Sequence, residues 1–419
     1  MANRRRLSSL TFVSAVVAGV ILFASTNDDI NSELQSSRRQ LTNDTPKLLQ
    51  QLDYTHHPDY ALTIDDHLAE EEEEDDPNSY AYIFIHYHKT GHHLSLQLRH
   101  FLVAGTTLEE GYWPLGRGRR HHDKDVGCPP VQVEPGCVYV APAPNFFCNT
   151  KVLTERLLGD GKKKKKKGVK IIHLVRNPFD LALSNWIYHS QDPTPEDWVN
   201  SADPCKESSW FDQRLQHLVQ PTLSLGDDPV IKEDDFDSLH NMCTKLYQAR
   251  HSRRNWSFYT QLRQLNPYNS LVLATVHMMT GQGGSDIIRM ANNIVKLKEV
   301  SQQEKRVQVV TLSMEAFTKY PGASALQMLQ EYAFPPRVKE YIATGYERAY
   351  YNRVNKKNKH MTNDKRILNA QNQNIVEMKD ELKGRLRDDP LFGRILGNIE
   401  RLVNDVELNP TPKQYTATQ

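Results

Sequence analysis

The sequence carries almost no net charge. Its 52 lysines and arginines offset 51 aspartates and glutamates across 419 residues, leaving a formal +1. No molecule-wide field therefore draws nucleic acid to it, and charge has to be read patch by patch. Long hydrophobic runs are equally scarce, and a mean hydropathy of -0.63 excludes a polytopic membrane protein. Cysteine is sparse too: Cys128, Cys137, Cys148, Cys205 and Cys243 are the only five. None of their spacings is a zinc pattern, and an odd number leaves at least one outside any intramolecular bridge. At this length a core needs no staples, and one large α/β domain with appendages or two modest domains would fit.

What apolar length there is lies at the start. Arg4-Arg5-Arg6 precedes nineteen residues, Leu7 to Ser25, whose only polar side chains are hydroxyls. Such a stretch is long enough for a thin bilayer, and the arginines would hold its leading end in the cytosol. The sequence thus predicts a cytosolic N-terminus over 1–6, a transmembrane signal anchor over 7–25 and a lumenal remainder. A cleaved signal peptide fits less well, because Leu22-Phe-Ala24 and Phe23-Ala-Ser25 lack a small residue three before the cut. Residues 26–79 are polar, lack periodicity and end in the acidic run Glu70 to Asp76, as a flexible stem does. In a lumen the cysteines meet an oxidising milieu, where Cys205 and Cys243 are the pair expected to bridge across a long insertion. Asn43-Asp-Thr45 and Asn255-Trp-Ser257 are glycosylation sequons, and the run Lys162 to Lys167 reads as a solvated surface loop.

From Tyr80 the texture changes. Tyr82 to Ile85 is a short apolar run that passes through His86-Tyr-His88-Lys89-Thr90-Gly91 into Leu94, Leu98 and Phe101 or Leu102, which recur at helical spacing. That pattern is strand, loop, helix. Residues 105–150 are rich in glycine, proline and charge, so loops and a basic surface are expected there. Val169 to Val175 is a second buried strand, followed by Arg176, Asn177, Pro178, Asp180 and Ser184. Further on we expect a helix near Trp210 to Val219, a helix over His240 to Leu265, a strand at Ser270 to Ala274 and a helix over Gly284 to Lys298. A strand at Arg306 to Leu312, a helix over Ala323 to Tyr332 and one or two helices between Asp364 and Val406 complete the prediction. Alternation at these lengths predicts an α/β, P-loop-like three-layer fold with a mostly parallel central sheet flanked by helices. The main domain should run over 80–350, with a basic, helical extension over 351–419.

The two strand ends resemble, as a pair, the nucleotide-binding motifs of sulfotransferases that use 3'-phosphoadenosine-5'-phosphosulfate (PAPS). Lys89-Thr90-Gly91 puts lysine first, directly off the strand, whereas a Walker loop ends in Gly-Lys-Ser/Thr. In the resembling family this loop and the helix start hold the 5'-phosphate, which implies PAPS contacts from Lys89, Thr90, Gly91, His92, His93 and Leu94. Lys89 would also stabilise charge on the departing phosphate. His92 and His93 stand where many members carry small hydroxyl residues. Arg176 and Ser184, eight positions apart, match the arginine and serine that bind the 3'-phosphate, the group that separates PAPS from ATP.

The resemblance implies sulfuryl transfer to a hydroxyl, with PAPS as co-substrate and no metal. The predicted anchor and compartment favour a glycan acceptor on the lumenal side of the Golgi membrane, with no role for nucleic acid. A general base must take the acceptor proton, and the candidates are Glu109, Glu110, His121, His122, His86 and His88. Of these, Glu110 and His122 are favoured, since His86 and His88 share one strand face where a buried, hydrogen-bonded histidine is the ordinary finding. His86, His88, His92 and His93 cluster, but no carboxylate or cysteine completes a metal-ligand spacing. A P-loop kinase or NTPase, and a non-catalytic glycan-binding protein on the same fold, stay open at this point.

Overall fold

The computed structural model describes residues 76–113, 133–159 except 145 and 147, 167–191, 196–200, 205, 229–248, 257–280, 286–330, 334, 336–355 and 367–406. The expected anchor, nearly all of the stem, the first sequon, Asn255 and Trp256 of the second, His121, His122, most of the lysine run and the helix at 210–219 lie outside these residues. Among the described residues no helix is long and apolar enough to cross a membrane.

Among the described residues, five parallel strands form one sheet in the order β2-β3-β1-β4-β5. They are β1 (Tyr80–His86), β2 (Glu109–Glu110), β3 (Cys137–Pro142), β4 (Gly168–Val175) and β5 (Val307–Ser313). Every residue of β1 and β4 is buried. This explains why both read as unbroken apolar runs: a central parallel strand is covered on both faces. The two pair in register, Phe84 opposite Ile172 and Ile85 opposite His173.

Period-two alternation then divides the core. Tyr82 and Phe84 of β1 point to one face with Ile172 and Leu174 of β4, and Ile83 and Ile85 point to the other with Ile171. On the first face lie α1 (His92–Gly105), α9 (Pro321–Gln330) and α10 (Pro336–Asn355), joined to β5 through the short α8 (Met314–Lys319). On the second lie α2 (Thr150–Leu158), α3 (Pro178–His189) and α7 (Asp286–Gln303), with α6 (Pro267–Thr280), α11 (Lys379–Asp388) and α12 (Phe392–Val406) packed against them. The chain thus leaves β1 by a helix on one face and leaves the adjacent β4 by a helix on the opposite face. Between such strand ends a crevice opens, the usual ligand position in α/β sheets.

Three expectations need correction. Ser270 to Ala274 is not a strand but the middle of α6. Every residue from Ser270 to Thr280 is buried, because α6 is wedged among α3, α4 (Glu233–Gln248), α5 (Phe258–Gln264), α7 and α11. A helix covered all round loses the 3.6-residue alternation that would reveal it. The helix expected over 240–265 is two, α4 and α5, separated by residues outside the description. Residues 105–150 hold β2, β3 and the start of α2 where only loops were expected. Strand β3 lies between Gly136 and Ala143 and ends on Pro142, a position where the missing N–H is harmless.

Other expectations hold. Helices α1, α7, α9, α11 and α12 and strand β5 fall where the periodicity put them. Cys205 and Cys243 are bridged, Cys148 is also disulfide-bonded, and Cys137 keeps its thiol. The boundary expected at 350/351 falls inside α10.

Candidate functional site

The loop leaving β1 is fixed from below. Tyr87 is fully buried, and its hydroxyl donates to Nε2 of His173 at 2.7 Å while accepting from Nδ2 of Asn293 at 2.9 Å. Burial raises the Tyr87 phenol well above its ordinary range and pushes His173 down to about 3, so it is a neutral acceptor. The loop also ties to itself. Thr90 Oγ1 accepts from the Tyr87 N–H at 2.5 Å and donates to the Tyr87 carbonyl at 3.0 Å. Its hydroxyl is thus a brace of the turn.

Two residues of the loop sit at positive φ, Lys89 at 61° and Gly91 at 106°. Gly91 caps α1, and a Cβ there would lie 2.8 Å from the Met314 sulfur. The sulfur can yield, but the backbone angle suits only glycine. We expect Gly91→Ala to destabilise the fold by about 2 kcal/mol. Urea unfolding checks this, and an unchanged midpoint would refute it. The first intrahelical bond of α1 runs from the Ser95 N–H to the Gly91 carbonyl at 2.9 Å. The amides of His92, His93 and Leu94 precede it and are the donors a helix start offers an anion. Leu94 itself is buried, anchoring that first turn in the core, while the rings of His92 and His93 are exposed beside it.

On β4 the second turn is built by capping. Asn177 Oδ1 accepts from the N–H groups of Phe179 and Asp180, and Pro178 opens α3 with its φ preset. Two C-terminal helices hold this turn from outside. Lys383 Nζ lies 2.6 Å from Asp180 Oδ1, and Asn177 Nδ2 donates to Glu400 Oε1 at 2.5 Å. Arg176, just before the cap, reaches across to the first loop: its Nη1 donates to the Lys89 carbonyl at 3.0 Å. Its Nε donates to Glu315 Oε1 at 3.2 Å, from the start of α8. Only two of the five guanidinium N–H groups are used in these bonds. Ser184 lies on the second turn of α3 and is 8 % exposed.

The electrostatics are those of a half-dry site. Burial lowers the Lys89 amine to about 7, with Arg176 pushing the same way and Glu196 opposing. That amine rests 2.8 Å from the centre of the Tyr188 ring. Burial also lowers His86 to about 3, reinforced by His92, so Nδ1 of His92 donates to a neutral Nε2 of His86 across 3.1 Å. His88 is lowered to about 3 by burial and by His189. Burial raises the Asp286 carboxyl to about 7, partly offset by Arg289, and raises Glu315 against the pull of Arg176.

The structure therefore brings Lys89, Thr90, Gly91, His92, His93 and Leu94 together with Arg176, and sets Ser184 on the helix that follows. It does not bring Glu110 to them. Glu110 is in register with Val138, and Val138 with Tyr82, which puts it two strands over. Tyr82 itself lies about 13 Å along the strand before its end at His86. Glu110 is exposed and ion-paired with Arg99 at 3.5 Å. His122 lies outside the described residues. Sequence reasoning missed Tyr188, His189, Glu196, Asp286 and Glu315, whose approach to the loop is made by tertiary packing alone. Compared with protein-family models, with curated proteins and with solved structures, the chain matches none of them significantly.

Proposed function

We propose that this chain is a sulfotransferase that moves the sulfuryl group of PAPS onto a hydroxyl, with a carbohydrate as the acceptor class. One observation carries the reading: the Arg176 guanidinium donates to the Lys89 carbonyl across adjacent parallel strand ends. Two motifs that resemble the 5'- and 3'-phosphate sites of one nucleotide thus meet at the sheet's switch point. In this reading the amides of His92 to Leu94 receive the 5'-phosphosulfate, and Arg176 with Ser184 receives the 3'-phosphate.

The acceptor hydroxyl gives its proton to a general base as its oxygen attacks sulfur in line, the S–O bond to the nucleotide breaks, and 3',5'-ADP leaves with the bonding pair. Lys89 then meets the charge that appears on the departing phosphate. A disulfide between Cys205 and Cys243 accords with an oxidising compartment, and the predicted anchor would make this a single-pass type II protein of the Golgi membrane.

Thermal-shift measurements with paired ligands test the nucleotide. We expect 3',5'-ADP to raise the melting temperature and 5'-AMP or ATP with Mg2+ to do so far less at equal concentration. Arg176→Ala should weaken 3',5'-ADP by about 10- to 150-fold, from the loss of one charge-assisted phosphate contact, and leave 5'-AMP nearly unchanged. Stabilisation by ATP with Mg2+ but not by 3',5'-ADP would overturn the reading in favour of a kinase or NTPase.

A further inference from the structure

We propose that His88, His189 and Glu196 form a binding site for one divalent transition-metal ion of the zinc class, beside the Lys89 loop. Their ligand atoms all lie within 4.8 Å of one another. His88 lies two residues beyond the end of β1, His189 is the last residue of α3, and Glu196 stands just before the short helical turn Asp197–Asn200. Two of the three side chains are thus fixed by the ends of regular elements.

The spacing is that of ligands on one ion. His189 Nε2 and Glu196 Oε2 are 3.2 Å apart, joined by a hydrogen bond that an ion would replace. Two atoms each bonded to a tetrahedral zinc stand roughly 3.3 Å apart, given bonds of about 2.0–2.1 Å. The rings of His88 and His189 are nearly parallel, inclined by 8° with centres 5.2 Å apart, so no hydrogen bond joins them. Nε2 of His88 is buried and has no hydrogen-bond partner among the described residues. Most buried side-chain polar atoms find a partner. Around the trio, the Tyr188 hydroxyl bonds to Glu196. Bonds of this kind set the orientation of ligands at metal centres.

Two imidazoles and one carboxylate favour zinc or its neighbours over magnesium or calcium, which prefer oxygen alone. Three protein ligands also leave a coordination position open, as in sites where a metal holds water or a substrate oxygen. The carboxylate missing from the local histidine pattern is supplied from far downstream, at Glu196. The inference stands apart from the nucleotide reading, since its test does not use PAPS.

That test is Co2+ titration of the full-length protein after chelator treatment, read by visible d–d absorption and by competition with Zn2+. We expect saturation at one ion per chain. His189→Ala should weaken Co2+ at least 100-fold and Glu196→Gln at least tenfold, with far-ultraviolet circular dichroism confirming that each is folded. Should His189→Ala fail to fold, the isosteric Glu196→Gln decides the matter alone. His92→Ala, which disrupts the neighbouring His86–His92 pair, should leave Co2+ affinity within threefold. No saturable signal in folded protein, unchanged affinity in Glu196→Gln, or loss of binding in His92→Ala would each overturn the assignment.

Discussion

Replacing Lys89 by alanine should lower the rate of sulfuryl transfer by about 100- to 1,000-fold while changing 3',5'-ADP affinity by less than tenfold. The range is that for removing one preorganised group aimed at charge developing in a transition state. The split between rate and binding follows from position: the nucleotide phosphates have the α1 amides and Arg176 to hold them, whereas the amine serves the bond that breaks. The protonation state of Lys89 adds a second, independent readout. In chelator-treated, nucleotide-free protein burial leaves the amine at about 7, so at pH 8 it is mostly neutral. A bound dianion favours the charged form, which raises the value, and the protein must then take up a proton on binding. Calorimetry of 3',5'-ADP binding in buffers of different ionisation enthalpy should show this uptake at pH 8, and Lys89→Ala should lose it. The same logic gives the pH profile its sign. Rate divided by KM, which reports free enzyme, should fall as pH rises through about 7, while kcat holds to higher pH. A Lys89→Ala rate within tenfold of the wild-type rate would defeat this account of the chemistry.

How far the sequence exposes this site depends on where each part of it comes from. Strands β1 and β4 were legible because a central parallel strand writes itself as an apolar run, and the polar turn after each stands out against it. Their adjacency could only be supposed from the paired motifs; it comes from pairing such as Phe84 with Ile172. Strand β3 was hidden by its setting among glycine and proline. Helix α6 was misread because burial on every side erased its period. The groups surrounding Lys89 were less legible still. Glu315, Tyr188 and Glu196 arrive from α8, α3 and the segment before Asp197, and nothing local marks them. Glu110 drew attention through its chemistry alone, and register places it two strands from β1. Chain periodicity reports what a segment packs against, not which distant side chain it meets.

Ending the chain at residue 366 should yield protein that does not fold, even though the deleted part carries none of the proposed nucleotide contacts. Leu386, Phe392, Ile395, Leu396 and Ile399 on α11 and α12 are fully buried and belong to the same core as α3, α6 and α7. At about 1.5–3 kcal/mol for each such side chain, their loss removes roughly 8–15 kcal/mol. That is the whole stability of an ordinary domain. The deletion also cuts the polar ties to the second turn: Lys383 to Asp180 and Glu400 to Asn177, with Arg387 holding Glu400 through two bonds of 3.0 and 2.5 Å. A point substitution separates the two effects. Glu400→Ala leaves the apolar core intact but frees the Asn177 side chain that caps α3 and sets the path of Arg176. We expect it to fold, to lose about 1–2 kcal/mol, and to bind 3',5'-ADP several-fold more weakly with no matching loss for 5'-AMP. Expression tests and urea unfolding read the first two outcomes, and paired nucleotide titrations read the third. A truncated chain that is soluble and unfolds cooperatively at the wild-type midpoint would show that α11 and α12 are an appendage after all.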